Sequence, residues 1–214
     1  MALDLTFWSD YGGSPIDFGR LKQIVVYQGK HLGDVLLTTP LIETLRDLTP
    51  AKIIVCSTAE SRLLIDDPDR NIFWNERHRG VIGAVRQALR ITGRPVDLFI
   101  DLNGSIDSLM TKKVVAPKYS IRIGEAKKRI FDGYTVTLPR NSGIGRHKID
   151  QHLDLLRRMG VRGGSLHRDL STITLDKNIN SDDVSRLERL VDASEKYVVI
   201  HPCSRWLFKT PSPE

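Results

Sequence analysis

The sequence predicts an α/β domain: a mainly parallel sheet with helices on both faces. Three observations carry this. Short β-branched runs alternate along the chain with stretches of helical periodicity. The runs are nearly continuous in apolar residues, as strands buried on both faces must be. The intervals between them are long enough to hold crossover helices, as a layered α/β sheet requires. With 214 residues, 40% of them hydrophobic and 27% charged, the chain can bury a core of that kind.

The first 20 residues, with the Gly12-Gly13-Ser14-Pro15 cluster, read as a flexible leader without the basic-then-apolar plan of a secretory signal. Gln23–Tyr27 (QIVVY) is the first strand. Val35–Leu48 has helical spacing of Leu and Ile; Pro40 within it implies either a start there with Thr39 as N-cap or a kink after an earlier turn. Lys52–Ser57 is a strand, Ser61–Ile65 a short helical piece and Asn71–Trp74 a brief strand. Val81–Ile91 is an amphipathic helix closed by Gly93 and Pro95. Leu98–Leu102 is strand-like, Ser105–Val115 helical, Tyr119–Ile123 a strand, and Tyr134–Leu138 an alternating, partly exposed strand. Lys148–Met159 is a helix with Gly160 past its end. Ser181–Ala193 is a helix with Ser181 as N-cap, and Tyr197–His201 (YVVIH) is the last strand.

Composition narrows the function. No apolar run approaches the ~18 residues that cross a bilayer. Two cysteines, Cys56 and Cys203, are too few for a disulfide framework and too far apart for a zinc site, which places the chain in the cytoplasm with both thiols reduced. The formal net charge of +6 implies acidic partners without saying which. Much of it is concentrated: residues 111–131 carry seven cations (Lys112, Lys113, Lys118, Arg122, Lys127, Lys128 and Arg129) against Glu125 alone. Such a stretch is either a directed patch or a solvated face. Aromatic residues are not interleaved through it, so nucleic acid is not the expected partner. His147, His152 and His167 lack a metal-ligand spacing and read as structural.

In sheets of this class ligands bind beyond the carboxyl ends of the strands. The loop Gln28-Gly29-Lys30-His31-Leu32-Gly33-Asp34 lacks both the spaced glycines of a dinucleotide site and the ending of a P-loop. It offers a glycine for close backbone approach and then an aspartate at a helix start, where a carboxylate is favoured in its charged form. Asp34 is thus either a helix cap or a base that takes a proton late from an attacking hydroxyl. The loop His201–Lys209 mixes a hydroxyl, a guanidinium and an ammonium, a set suited to a diphosphate unless it is a solvated tail.

Four stretches together resemble the bacterial lipopolysaccharide heptosyltransferase family. They are Gly33-Asp34-Val35-Leu36-Leu37-Thr38-Thr39-Pro40-Leu41, Val96–Ser105, Arg122-Ile123-Gly124 and His201-Pro202-Cys203-Ser204-Arg205-Trp206-Leu207-Phe208-Lys209. The Ser-Arg-Trp sequence is most similar to the branch that adds a side heptose, heptosyltransferase III. The resemblance implies a Rossmann-like N-terminal lobe of a two-lobed GT-B enzyme that moves heptose from ADP-heptose to the lipopolysaccharide inner core with inversion. It implies no cofactor and no metal, with work done at the inner-membrane surface on the cytoplasmic side. By position it makes Asp34 the catalytic base, and Ser204 and Lys209 the donor-phosphate ligands. It places Lys30, Arg122, Lys127 and Arg129 at the anionic acceptor. Residues 21–200 then form the acceptor-binding domain, and residues 201–214 begin the linker to a donor lobe that is absent, so the enzyme reads as truncated. The alternative is a non-catalytic domain that binds anionic saccharide.

Overall fold

The computed structural model describes residues 16–91, 93–124, 133–138, 147–161, 166, 167, 182 and 185. The chain divides into two compact units, Met1–Leu175 and Asp176–Glu214. In the second unit Asp182 and Ser185 are helical and exposed, and the expected strand Tyr197–His201 lies outside the described residues. The first unit holds the sheet.

Six parallel strands form this sheet in the order β3-β2-β1-β4-β5-β6. They are β1 (Gln23–Tyr27), β2 (Lys52–Ser57), β3 (Ile72–Glu76), β4 (Leu98–Asp101), β5 (Tyr119–Ile123) and β6 (Val136–Leu138). Each apolar run splits its side chains between two cores, because successive residues of a strand face opposite ways. Ile24 and Val26 of β1 join Ile53 and Val55, Leu98 and Ile100, and Ile121 in one core. Val25 and Tyr27 join Ile54, Cys56 and Phe99 in the other. The first core is closed by α1 (Leu32–Leu36), α2 (Thr39–Leu48) and α6 (Lys148–Arg158). The second is closed by α4 (Gly80–Ile91) and α5 (Ile106–Val115). A short α3 (Arg62–Ile65), preceded by a 3-10 turn Ala59–Ser61, leads towards the edge strand β3.

Pro40 decides how the chain leaves β1. It cannot donate to the carbonyl four residues back, and its ring crowds that carbonyl. The chain therefore forms two helices, α1 ending at Leu36 and α2 beginning at Thr39 with Pro40 in its first turn. Hydroxyls complete the interrupted ladder: Thr38 Oγ1 donates to the Asp34 carbonyl at 2.9 Å and Thr39 Oγ1 to the Leu36 carbonyl at 2.8 Å. Thr39 is thus helical rather than the cap; Thr38 holds that position. Ser105 caps α5 in a reciprocal box with Ser108, and Ala116 ends that helix in the left-handed conformation at φ 45°.

Candidate functional site

The strand order reverses between β1 and β4, and the connections from these two neighbours leave on opposite faces of the sheet. Loops that part in this way leave a crevice beyond the strand ends. Its walls are Gln28–His31 after β1 and Leu102–Ser105 after β4.

The β1 loop is anchored from below. Gln28 is buried, and its Nε2 donates to Thr38 Oγ1 at 3.1 Å and to the Asp34 carbonyl at 3.4 Å, which ties the loop to the turn that carries Asp34. The Asp34 side chain is half-buried and engages no hydrogen bond or ion pair among the described residues. A Cβ added at the neighbouring Gly33 would meet nothing within 4 Å, so this turn faces open space. Lys30 is half-buried on the same loop. Behind it His152 of α6 is fully buried and donates from Nδ1 to the Leu37 carbonyl at 3.1 Å. Burial, aided by the cations Lys148 and Lys30, pushes its pKa down to about 4, so the ring is a neutral structural post.

The β4 wall is built on a buried carboxylate. Asp101 ends β4, and its Oδ1 accepts from the Asn103 and Gly104 N–H groups at 2.9 and 2.8 Å. Its Oδ2 accepts from Ser108 Oγ and from the Tyr134 hydroxyl, each at 2.7 Å. Burial raises its pKa despite these donors, and burial followed by Asp101 itself raises that of Tyr134. Gly104 is favoured in this turn, at φ 62°, where an added Cβ would also crowd the Ile123 carbonyl oxygen at 3.2 Å. Two cations lie over the Tyr134 ring, Lys112 Nζ at 4.4 Å and the Arg122 guanidinium at 5.4 Å. Lys112 also donates to the Gly133 carbonyl. Burial, then the like charge of Lys113, lowers the Lys112 pKa.

Arg77, just beyond β3, closes the crevice floor. Its guanidinium donates to the Gly29 carbonyl and pairs with Asp107 at 2.9 Å, while the other Asp107 oxygen accepts from the Gly80 N–H at 3.1 Å. Burial opposes its charge, but Asp107 and Tyr27 more than offset this and raise its pKa. A Cβ at Gly29 would fall 2.5 Å from Arg77 Cδ and 3.0 Å from Asn103 Nδ2, so glycine lets the two walls meet.

The residues picked from the sequence are placed unevenly. Lys30 lies on the β1 loop at the crevice, and Asp34 in the first turn of α1, which follows it. Arg122 lies on β5 in register with Asp101, only 4% exposed, so this member of the basic stretch is directed into the fold. Lys127, Arg129, Ser204 and Lys209 lie outside the described residues. Arg77, Ser108, Asp107 and Tyr134 are site residues that sequence reasoning missed. The one local signal for them is the Asp101-Leu102-Asn103-Gly104-Ser105 run, an acidic strand end followed by turn and cap residues. Among the described residues no group of acidic, His or Cys side chains could hold a metal ion, and no helix is long and apolar enough to cross a membrane.

Comparison with known proteins gives a fold. No protein-family model matches the sequence, and no curated protein does. Among solved structures the chain is similar to the crystal structure of the glycosyl transferase family 9 from Veillonella parvula DSM 2008, with a TM-score of 0.61 and 22% identity. The match covers 73% of this chain and 45% of that one, so the likeness takes in less than half the length of that protein. The two share the doubly wound, parallel α/β architecture.

Proposed function

We propose that this chain is the acceptor-side, Rossmann-like lobe of a GT-B glycosyltransferase, and that the reaction is inverting transfer of heptose from ADP-heptose to the lipopolysaccharide inner core. One observation carries the reading. At the switch point of the sheet, where such folds bind ligand, the carboxylate of Asp34 is unengaged among the described residues and sits on a turn open to space. The likeness in fold to a family 9 glycosyltransferase supports it.

The chemistry uses those groups in turn. The acceptor hydroxyl oxygen attacks the anomeric carbon from the face opposite the diphosphate. Its proton passes to Asp34 as the new C–O bond forms. The bond to the diphosphate oxygen breaks with its electron pair, and ADP departs. Ser204 and Lys209 are the groups assigned to neutralise that growing charge. Lys30, Lys127 and Arg129 attract the phosphorylated core saccharide, and Arg122 adds its charge from within the fold. Asp101 and Arg77 touch neither substrate; they position the loops. The proposed place of work is the cytoplasmic face of the inner membrane, with no cofactor and no nucleic-acid partner. The heptosyltransferase III branch is the acceptor class proposed, on the Ser204-Arg205-Trp206 sequence.

Calorimetric titration with deacylated inner-core oligosaccharide, and separately with ADP, tests this. Salt-dependent core binding that Asp34→Ala leaves intact, together with transfer from ADP-heptose lowered ~10²–10⁴-fold by the same change in a two-lobed enzyme that carries this lobe, is the expected pair of results. Core binding without any ADP release, even when nucleotide is bound, would favour the non-catalytic saccharide-binding alternative. No binding of either ligand would refute both.

A further inference from the structure

The outer face of α4 is unlike the rest of the surface. Ile82 is 81% exposed, Leu89 65% and Val81 57%, and Val85 is exposed between them. Positions 81, 85 and 89 repeat at one helical turn, so they form a stripe. The buried side of the same helix, Ala84, Gln87, Ala88 and Ile91, faces the sheet. Ile106, 62% exposed, opens the neighbouring α5, and the first turns of the two helices are tied through Gly80 and Asp107. Four large aliphatic side chains turned outward on one twelve-residue helix are costly in water and need a partner.

Charge states which partner. From Arg77 to Val96 the chain holds five arginines and no acidic residue. Arg77 is taken by Asp107, but Arg86 and Arg90 flank the aliphatic stripe and are exposed. Arg90 then leads into a groove of about 360 Å³ lined by Lys52, Phe73 and Arg94. Lys52 Nζ stands 4.2 Å above the Phe73 ring there. The adjoining groove contains Glu76 as its acidic residue. A protein partner would be expected to meet this face with an acidic aliphatic surface. An anionic bilayer offers both halves in one plane: acyl chains for the stripe and phosphates for the arginines.

We propose that α4 is an in-plane docking helix for an anionic phospholipid surface, with Val81, Ile82, Val85 and Leu89 entering the acyl boundary. Arg86, Arg90 and the Lys52–Arg94 groove hold lipid phosphate. This deepens the functional reading, on which the acceptor is lipid-linked, by naming the face that meets the membrane. The α4 and α5 starts lie beside Arg77 at the crevice, so docking on this face brings the β1–β4 crevice to the lipid plane.

The test is co-sedimentation of the full chain with sugar-free vesicles of phosphatidylglycerol and phosphatidylcholine, against vesicles of phosphatidylcholine alone. Wild type is expected to bind the anionic vesicles, more weakly as salt rises. R86Q/R90Q and I82S/L89S are each expected to lower that partition at least about tenfold, since each removes two contacts of the kind that hold such helices. R20Q/R158Q, the same loss of charge on the opposite layer, is expected to retain it. Circular dichroism checks that each variant is folded. Equal binding to both vesicle types, or an equal loss in R20Q/R158Q, would overturn the proposal. So would lipid-free self-association abolished by I82S/L89S, which would make a second copy the occupant. Because the vesicles carry no saccharide, failure of transfer with lipid binding intact counts against the enzymatic reading alone.

Discussion

His152 gives the sharpest quantitative expectation. The ring is fully buried, and its folded pKa of about 4 lies below the ordinary value of 6.5. Between those values the unfolded chain binds a proton that the folded chain refuses, so stability is complete above pH 6.5 and falls as the pH drops towards 4. At pH 5.0 the unfolded His152 is largely protonated, and the loss relative to pH 7.5 is about 2 kcal/mol at 1.36 kcal/mol per unit. The cause is local: burial first, with Lys148 and Lys30 adding repulsion that the hydrogen bond to the Leu37 carbonyl opposes. His152→Asn keeps a donor near the Nδ1 position without a titrating group. It is expected to be less stable at pH 7.5, because the smaller side chain leaves space in the core, yet to lose about 2 kcal/mol less between pH 7.5 and 5.0. Urea unfolding of both proteins at the two pH values reads this directly. Parallel losses in wild type and variant would refute the reasoning and place the proton elsewhere.

Four further outcomes follow from the crevice walls and from the end of α5. Asp101→Ala orphans the Tyr134 hydroxyl and two loop N–H groups and leaves Ser108 only its bonds to Ser105, and should cost about 3–5 kcal/mol; Tyr134→Phe, which removes one donor, should cost about 1–2 kcal/mol by the same urea assay. Gly29→Ala must displace an Arg77 side chain that Asp107 and the Gly29 carbonyl hold in place, and should lower stability by about 1–3 kcal/mol; an unchanged urea midpoint would show that Arg77 moves freely. Ala116→Gly relieves a left-handed alanine at the end of α5 and should raise the midpoint by the equivalent of about 0.5–1 kcal/mol.

Much of the first unit was determined by local sequence. Gln23–Tyr27, Lys52–Ser57 and Tyr119–Ile123 are strands with the bounds read from the sequence; in the first two the interior steps are apolar throughout, as burial on both faces demands. Val81–Ile91 and Lys148–Met159 were legible as helices from their periodicity, within one residue at the ends. The helix start at Asp34 was visible because it needs only its own loop and the helix beyond it. The sequence left open how the chain passes Pro40, since the break depends on hydroxyls of Thr38 and Thr39 reaching particular carbonyls.

The tertiary structure alone decided the strand order, and with it the crevice. Nothing in β1 or β4 says that they are neighbours, because parallel strands pair across a crossover and share no local signal. For the same reason the partners Asp101 and Tyr134, 33 residues apart, and Arg77 and Asp107, 30 apart, could not be matched from their spacing. Arg122 shows the limit most plainly: in the sequence it is one cation in a basic stretch, and in the fold it is a buried strand residue over an aromatic ring beside Asp101. Periodicity reports which residues must leave water. Which of them then meet is set by the layering of helices on the two faces, and so by contacts between segments far apart in the chain.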